Sequence, residues 1–530
     1  MTGKLRFGFG LLVWFAASSA FAAKTFVYCS EGSPTLFNSQ MITDGPSMNA
    51  THSTMYNTLV DYKKGTTEIK PSLAESWETS KDGLKITFKL RKGVKFHTTA
   101  AFTPTRDFNA DDLIYSFERM RDPKHPFHKV NGGQYEYWDS MEMSKIIKEI
   151  KKIDDYTVQF QLSQQEAPFI TNLAMPFTIV LSKEYLEKMM AAKTPEKVDT
   201  QPVGTGPFVF QSYEKDSIIR YKAFDNYFKG RPKIDNLVFS ITTDASVRTQ
   251  KLKAGECHLI AEPSPQDLPK LKQDSNFKVL ELEGLNVGYL AMNVNKKPFD
   301  KLEVRQAVNM AMNRKSYMEA IYLGNASLAK NPVPPTSWSY NASTPEIEYN
   351  PEKAKELLKK AGYPNGFETS MYTLPVSRPY NPSGKKMGEM MQADLAKVGI
   401  KVKLMTYDWP TYLDKTRKGE HEMAQLGWTA DNGDPDNFLN MLLGCAAVRS
   451  GSNISKWCHK PFNDLVQKGK QVMDIKKRTE FYKKAQLVFS EQAPWVTLAH
   501  ARIFRAISAK VKNYGMSPLG DEIFEDLDLQ

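Results

Sequence analysis

The sequence predicts an α/β protein of two or three domains, and three observations carry that reading. The chain has 530 residues, too many for one hydrophobic core. Its composition, 41% hydrophobic and 25% charged, is that of an ordinary folded protein with no low-complexity block. Between residues 367 and 428, strand patterns alternate with helix patterns in the order β-α-β-α-β, which implies parallel strands.

From the start of the chain, residues 1–22 read as an export signal. Lys4 and Arg6 form a positive segment, residues 9–17 an apolar centre, and Ala20-Phe21-Ala22 a cleavage site. No stop-transfer pattern follows, and no other run approaches the ~18 apolar residues of a spanning helix. No cysteine follows the signal, which argues against lipid attachment there. Leu442-Leu443-Gly444-Cys445 resembles a lipidation box but lies deep in the chain. The mature protein is expected to be soluble outside the cytoplasmic membrane.

Four cysteines, Cys29, Cys257, Cys445 and Cys458, lie in the exported part and suit an oxidising compartment. Three pairings are open by count. Cys445 and Cys458 are close and flank a loop rich in Ser, Gly and Asn, which favours pairing them and leaves Cys29 with Cys257. No C-x-x-C occurs, against both a thioredoxin-like site and structural zinc. Losing the signal lowers the formal charge from +11 to +9. The lysines are interleaved with acids along helical patterns, so a solvated basic surface is expected, and nucleic acid is not.

Residues 25–28 read as a strand opening the mature fold. Residues 77–91 read as a hairpin turning at Lys81-Asp82-Gly83, with Ile86, Phe88 and Leu90 alternating. Asn109 is placed to cap a helix whose first turn holds Asp111 and Asp112, a role preferred to metal binding. Gly204-Thr205-Gly206-Pro207-Phe208 turns into further strands, with a boundary near Gln201. A second boundary falls near Gly284, and Val304, Ala307, Val308, Ala311 and Met312 share one face of the helix beyond it.

The informative part follows. A strand over 367–374 ends in Pro375-Val376-Ser377-Arg378-Pro379-Tyr380-Asn381-Pro382. A helix carries Met387, Met390, Met391, Leu395 and Val398 on one face, read as packing on the sheet, and Gly399 stops it. Ile400, Val402 and Leu404 mark the next strand, 410–417 a short helix, and 421–428 a third strand. Arg378 and Asp431 then lie just past the carboxyl ends of parallel strands, where open α/β sheets place ligands. In the loop 427–437, Gly433 and Pro435 rule out a continuous helix, so Asp431 is held by its neighbours, while Asp434 and Asp436 shape the turn.

Catalytic patterns fail. His421-Glu422-Met423-Ala424-Gln425 has Gln425 where a zinc protease needs its second histidine, and it lies in a strand. His125 and His128 alone make no metal site. Asp431, Asp434 and Asp436 suggest a calcium loop, but its closing position holds Leu442 rather than Glu. No nucleophile elbow, P-loop or dinucleotide fingerprint occurs. What remains is recognition by charge. Arg378 offers a planar fork to a carboxylate, and Asp431 receives an ammonium. Opposed across a closed cleft, they would recognise a short zwitterion and measure its length, at most ~3.6 Å per extended residue.

Several segments carry a resemblance: Tyr28-Cys29-Ser30-Glu31-Gly32-Ser33, Leu73-Ala74-Glu75-Ser76-Trp77, Leu90-Arg91-Lys92-Gly93-Val94, Asn109-Ala110-Asp111-Asp112, Gly204-Thr205-Gly206-Pro207-Phe208, Gly284-Leu285-Asn286-Val287-Gly288-Tyr289, Arg378-Pro379-Tyr380-Asn381-Pro382, and 427–437. The chain resembles the dipeptide-binding proteins of bacterial peptide importers, within the oligopeptide-binding group of periplasmic solute-binding proteins, over essentially all its mature length. The last two segments and the four cysteines match the dipeptide branch.

The resemblance implies an α/β, two-lobed periplasmic binding protein (type II, hinge-closing) with an additional inserted domain. Lobe I is expected from residues 23–53, 201–283 and 505–530, the inserted domain from 54–200, and lobe II from 284–504. It implies the same disulfide pairing, Asp431 on the peptide's amino group and Arg378 on its carboxylate, with Thr43, Gly45, Tyr380, Trp409 and Trp428 beside them. It further implies a monomeric, non-enzymatic periplasmic receptor, without cofactor or metal, that serves an inner-membrane ABC permease. Ala430 departs from the glycine common before the aspartate, and Asp44 from a small neutral residue, which leaves strict dipeptide specificity less secure than peptide binding. Related proteins carry haem, glutathione or antimicrobial peptides, the alternative ligands; an exported peptidase is the remote alternative.

Overall fold

The computed structural model describes residues 23–530; the expected export signal, residues 1–22, lies outside them. The mature chain opens with β1 (Thr25–Ser30), which buries Phe26 and Tyr28. Helix α1 (Gly45–Met55) follows, capped by the Asp44 side chain on the Ser47 amide, with Pro46 in its first turn.

A separate four-stranded antiparallel sheet comes next. The hairpin of β2 (Ala74–Thr79) and β3 (Lys85–Leu90) buries Ile86, Phe88 and Leu90, in line with their alternation. Helix α2 (Ala110–Arg121) starts at Asn109 in a capping box with Asp112. Asp112 pairs with Arg106 and Asp111 with Lys152, so both acids are occupied by capping and ion pairs. Strands β4 (Ile147–Asp154) and β5 (Thr157–Leu162) complete the order β2-β3-β5-β4.

The chain then builds the main sheet. The strands β6 (Phe208–Glu214), β7 (Ile218–Ala223) and β8 (Asn236–Ile241) pair in sequence, β8 runs parallel to β1, and β9 (Leu259–Ala261) lies parallel on the other side of β1. Every residue of β10 (Asn286–Met292) is buried. Helix α3 (Leu302–Ala311) turns Val304, Ala307, Val308 and Ala311 inward. The β-α-β-α-β unit is present as β11 (Glu368–Tyr372), α4 (Gly384–Ala396), β12 (Lys401–Met405), α5 (Trp409–Lys418) and β13 (Met423–Thr429), and β11 is parallel to both β12 and β13. Met387, Met391 and Leu395 of α4 pack with Met371 of β11 and the inward face of α3, so the methionine face belongs to a core.

Finally β14 (Trp495–Ser508) unites two half-sheets in the order β12-β11-β13-β10-β14-β9-β1-β8-β7-β6. Its first part pairs with β10 and its last part with β9 and the strand Phe277–Glu283. These half-sheets are the cores of the two lobes. β14 exchanges partners between Ala501 and Arg502, inside an unbroken strand. A strand that continues through the crossing leaves no break in composition to read. At the crossing, a Cβ on Gly284 would lie 2.4 Å from the Ala501 carbonyl, which only glycine avoids. Asn286 clamps it by giving Nδ2 to the Ala501 carbonyl (2.8 Å) and accepting the Ala501 amide (2.9 Å).

Cys29 is bonded to Cys257 and Cys445 to Cys458. Among the described residues, no helix is long and apolar enough to cross a membrane.

Candidate functional site

Because β11 and β13 are parallel neighbours, the loops that leave their carboxyl ends emerge at the same edge, and these loops carry Arg378 and Asp431. Both loops therefore leave the same edge of one half-sheet. The facing wall comes from the end of β1 (Glu31), the turn into α1 (Thr43, Asp44, Gly45) and the C-terminal segment (Gly520, Asp521). Thr43, Gly45, Arg378, Tyr380, Trp409, Trp428 and Asp431 all line one cavity. About 1040 Å³ there, open solvent included, is free of protein atoms.

At one end, Arg378 is 5% exposed and held by a tight reversal, with backbone bonds in both directions between Arg378 and Asn381. Its guanidinium lies over the Trp409 ring, 4.6 Å from the centroid, and Nη1 donates to Glu31 Oε1 at 2.7 Å. Burial works to raise the Glu31 carboxyl, but Arg378, Arg248 and Arg505 outweigh it and hold it below its usual value. Nη2 of Arg378 is buried without a partner, as are Nε1 of Trp409 and the hydroxyl of Tyr289. Three buried polar groups thus face a cavity with hydrogen bonds unmade, at a cost that an anionic ligand with acceptor oxygens would remove.

Two glycines let this loop lie on the sheet. A Cβ on Gly427 of β13 would stand 2.2 Å from the Tyr380 ring, and one on Gly288 of β10 would stand 2.4 Å from the Tyr380 carbonyl. Tyr322 fixes the same carbonyl through its hydroxyl at 2.6 Å.

At the other end, Asn437 organises the acidic loop. Its Oδ1 accepts the Asp431 amide (3.0 Å) and the Trp428 indole (2.8 Å). The inserted region holds the loop from outside, as Tyr62 donates to the Asp431 carbonyl (3.1 Å) and Asn432 to Asn172 (3.0 Å). Asp434 pairs with Arg478 at 2.8 Å and accepts the Asp436 amide, which leaves these two acids to the turn, while Asp431 turns to the cavity. The Asp431 carboxylate is reached by the Asn437 amide at 3.4 Å, lies beside the Tyr137 hydroxyl, and has no ion pair among the described residues. Burial pushes it up to about 7.

Asp44, flagged in the sequence, caps α1 and is raised by burial. Glu136, Arg417, Glu262, Arg505 and Asp521 border the site without any signal of spacing or motif. Glu136 accepts from Arg417 Nε at 2.9 Å and lies 3.5 Å from the Thr43 hydroxyl. Glu31 stood in a recognised segment, but nothing there marked it as the partner of Arg378. The histidines set aside in the sequence are engaged with backbone, His421 with the Ile454 carbonyl and His128 with the Arg119 carbonyl.

Residues 68–450 match the family described as bacterial extracellular solute-binding proteins, family 5 (middle). The chain is 51% identical over 529 residues to a dipeptide-binding protein of Escherichia coli (strain K12), covering 100% of this chain and 99% of that protein. It is 47% identical to heme-binding protein A of Haemophilus influenzae, over 94% of this chain and 91% of that one. Its fold superposes with a TM-score of 0.93 on a crystal structure of the dipeptide-binding protein of Pseudoalteromonas sp. SM9913 in complex with Met-Leu, at 39% identity, over 96% of this chain and 100% of that one.

Proposed function

The chain belongs to the family 5 bacterial extracellular solute-binding proteins, receptors that bind a solute without converting it, and we propose that its solute is a short peptide, foremost a dipeptide. One observation carries the reading. A single cavity holds a buried arginine with an unpartnered Nη2 at one end and an aspartate without a cation at the other. A peptide carboxylate satisfies the first and its ammonium the second. The solved relative bound to Met-Leu and the dipeptide-binding relative of Escherichia coli support the same choice.

In this reading residues 23–53, 201–283 and 505–530 form one lobe, 284–504 the other, and 54–200 an inserted domain. Arg378, Tyr380, Trp409, Trp428 and Asp431 of one lobe and Thr43 and Gly45 of the other surround the ligand. Closure then depends on contacts to both lobes, since only differential affinity for the closed state shifts the equilibrium. The receptor works as a monomer in the periplasm after its signal is removed, and it delivers peptide to an inner-membrane ABC permease.

Calorimetric titration of ligand-stripped protein with dipeptides, tripeptides and free amino acids tests this. Saturable one-to-one binding of dipeptides is the expected result, and no binding by any of the three classes refutes it. The likeness to a heme-binding protein raises a second solute, and a Soret shift on adding haemin would favour it. The cavity lining offers the hydroxyls of Tyr289 and Tyr380 but no imidazole, which supports the peptide.

A further inference from the structure

Six carboxylates line the cavity, from Glu31, Asp44, Glu136, Glu262, Asp431 and Asp521, against three arginines, Arg378, Arg417 and Arg505. Each arginine is taken: Arg378 by Glu31, Arg417 by Glu136, and Arg505 by Glu262 and Glu522. Asp44 caps α1. The excess negative charge therefore resides on Asp44, Asp431 and Asp521; Asp44 is engaged as the α1 cap, and neither Asp431 nor Asp521 has an ion pair among the described residues.

These two acids come from different lobes. Asp521 is anchored to the lobe of α1, because the Glu522 amide donates to Asn49 Oδ1 (3.0 Å), Ser53 donates to the Glu522 carbonyl (2.9 Å) and Arg505 donates to the Gly520 carbonyl (3.0 Å). Gly520 brings this segment against the end of β13, where its Cβ would lie 3.3 Å from Thr429 Cγ2. Asp431 follows two residues after Thr429. Around the pair stand the hydroxyls of Tyr62 and Tyr137, the carboxylates of Asp61 and Glu522, and Arg505. The Tyr137 hydroxyl is buried beside Asp431, the carboxylate it is placed to serve.

We propose that Asp521 is a second carboxylate of the subsite for the ligand's ammonium, and that the Asp431–Asp521 pair, one from each lobe, makes closure conditional on a cation between them. The proposal rests on the peptide reading above. An α-ammonium has three N–H donors and serves both carboxylates at once. Without it, closure presses two like charges together where water is scarce. Burial and then Asp431 push the Asp521 carboxyl up to about 8, in keeping with such a confrontation. A cation at this point turns the same pair from a wedge into a latch.

Calorimetry with Ala-Ala and N-acetyl-Ala-Ala on wild type and Asp521→Asn tests the pair, with small-angle scattering of the ligand-free proteins at pH 8. The variant is expected to lose at least tenfold in affinity for Ala-Ala, to bind N-acetyl-Ala-Ala no more weakly than wild type, and to have a smaller radius of gyration when empty. A merely structural residue would change both peptides by the same factor. That result overturns the proposal, as does an unchanged affinity for Ala-Ala. If wild type binds no peptide at all, the peptide reading fails and takes the proposal with it. Asp521→Ser, read the same way, covers the case in which the first variant does not fold.

Discussion

Replacing Asp431 by Asn removes one charge and almost no volume. The loop is held by the Asp431 amide and carbonyl, not by its carboxylate, so the variant keeps its frame. Removing one partner of a buried, hydrogen-bonded charge pair costs about 2–5 kcal/mol. Asp521 remains beside the ligand's ammonium, so the lower part of that range applies, about 2–3 kcal/mol, or a loss of about 30- to 150-fold at 1.4 kcal/mol per decade. N-acetylated peptide carries no ammonium and should lose nothing.

Stability separates the cases further. A carboxyl raised to about 7 by burial destabilises the empty folded protein increasingly as pH climbs from its unfolded value near 4 through 7. At pH 8 the Asn variant, empty, should therefore melt no lower than wild type. Calorimetry with Ala-Ala and N-acetyl-Ala-Ala, with thermal unfolding of the stripped proteins, reads all three quantities. An equal loss for both peptides, or a lowered melting temperature, would refute the assigned role.

Three further outcomes follow from the geometry. Arg378→Lys keeps the charge but cannot hold Glu31, stack on Trp409 and present a second coplanar N–H. Peptide affinity should fall by about 2 kcal/mol, near 30-fold, and less for C-terminal amides in calorimetry; equal losses for acid and amide would contradict the carboxylate role. Gly427→Ala drives a methyl into the Tyr380 ring and displaces the loop that carries Arg378, so affinity should drop on the order of tenfold, as overpacking of ~1–3 kcal/mol implies, with circular dichroism unchanged; retained affinity would show that the loop is not seated by this contact. Peptide affinity should rise with pH between about 5 and 8, because the Asp431 and Asp521 carboxyls, raised to about 7 and 8 when empty, ionise fully only against the ammonium, and binding near pH 7 releases protons; titrations in buffers of differing ionisation enthalpy measure this, and a flat profile without proton release would refute it.

Some of the site was legible before any coordinates. The alternation of Ile86, Phe88 and Leu90, the cap at Asn109 and the β-α-β-α-β order depend on neighbours in the chain, and each is present in the fold. Parallel strands made the loops of Arg378 and Asp431 candidates, because the ends of such strands are where ligands sit. The order of the strands that flank these loops was not legible, since strand order within a sheet is settled by packing, not by order in the chain. The crossing of β14 at Ala501 was hidden for a related reason, as one uninterrupted strand serves two cores.

The sequence by itself determined the local frame: the caps, the hairpin, the glycines that stop helices and the class of chemistry available at 378 and 431. Only the tertiary structure decided which charges are spoken for. Glu31 reaches Arg378 across 347 positions, Arg417 reaches Glu136 across 281, and Asp521 comes up against the end of β13 from the far end of the chain. Pairing and desolvation depend on distance and dielectric in space, so no spacing in the chain could record that Arg378 keeps one nitrogen free or that two aspartates meet without a cation.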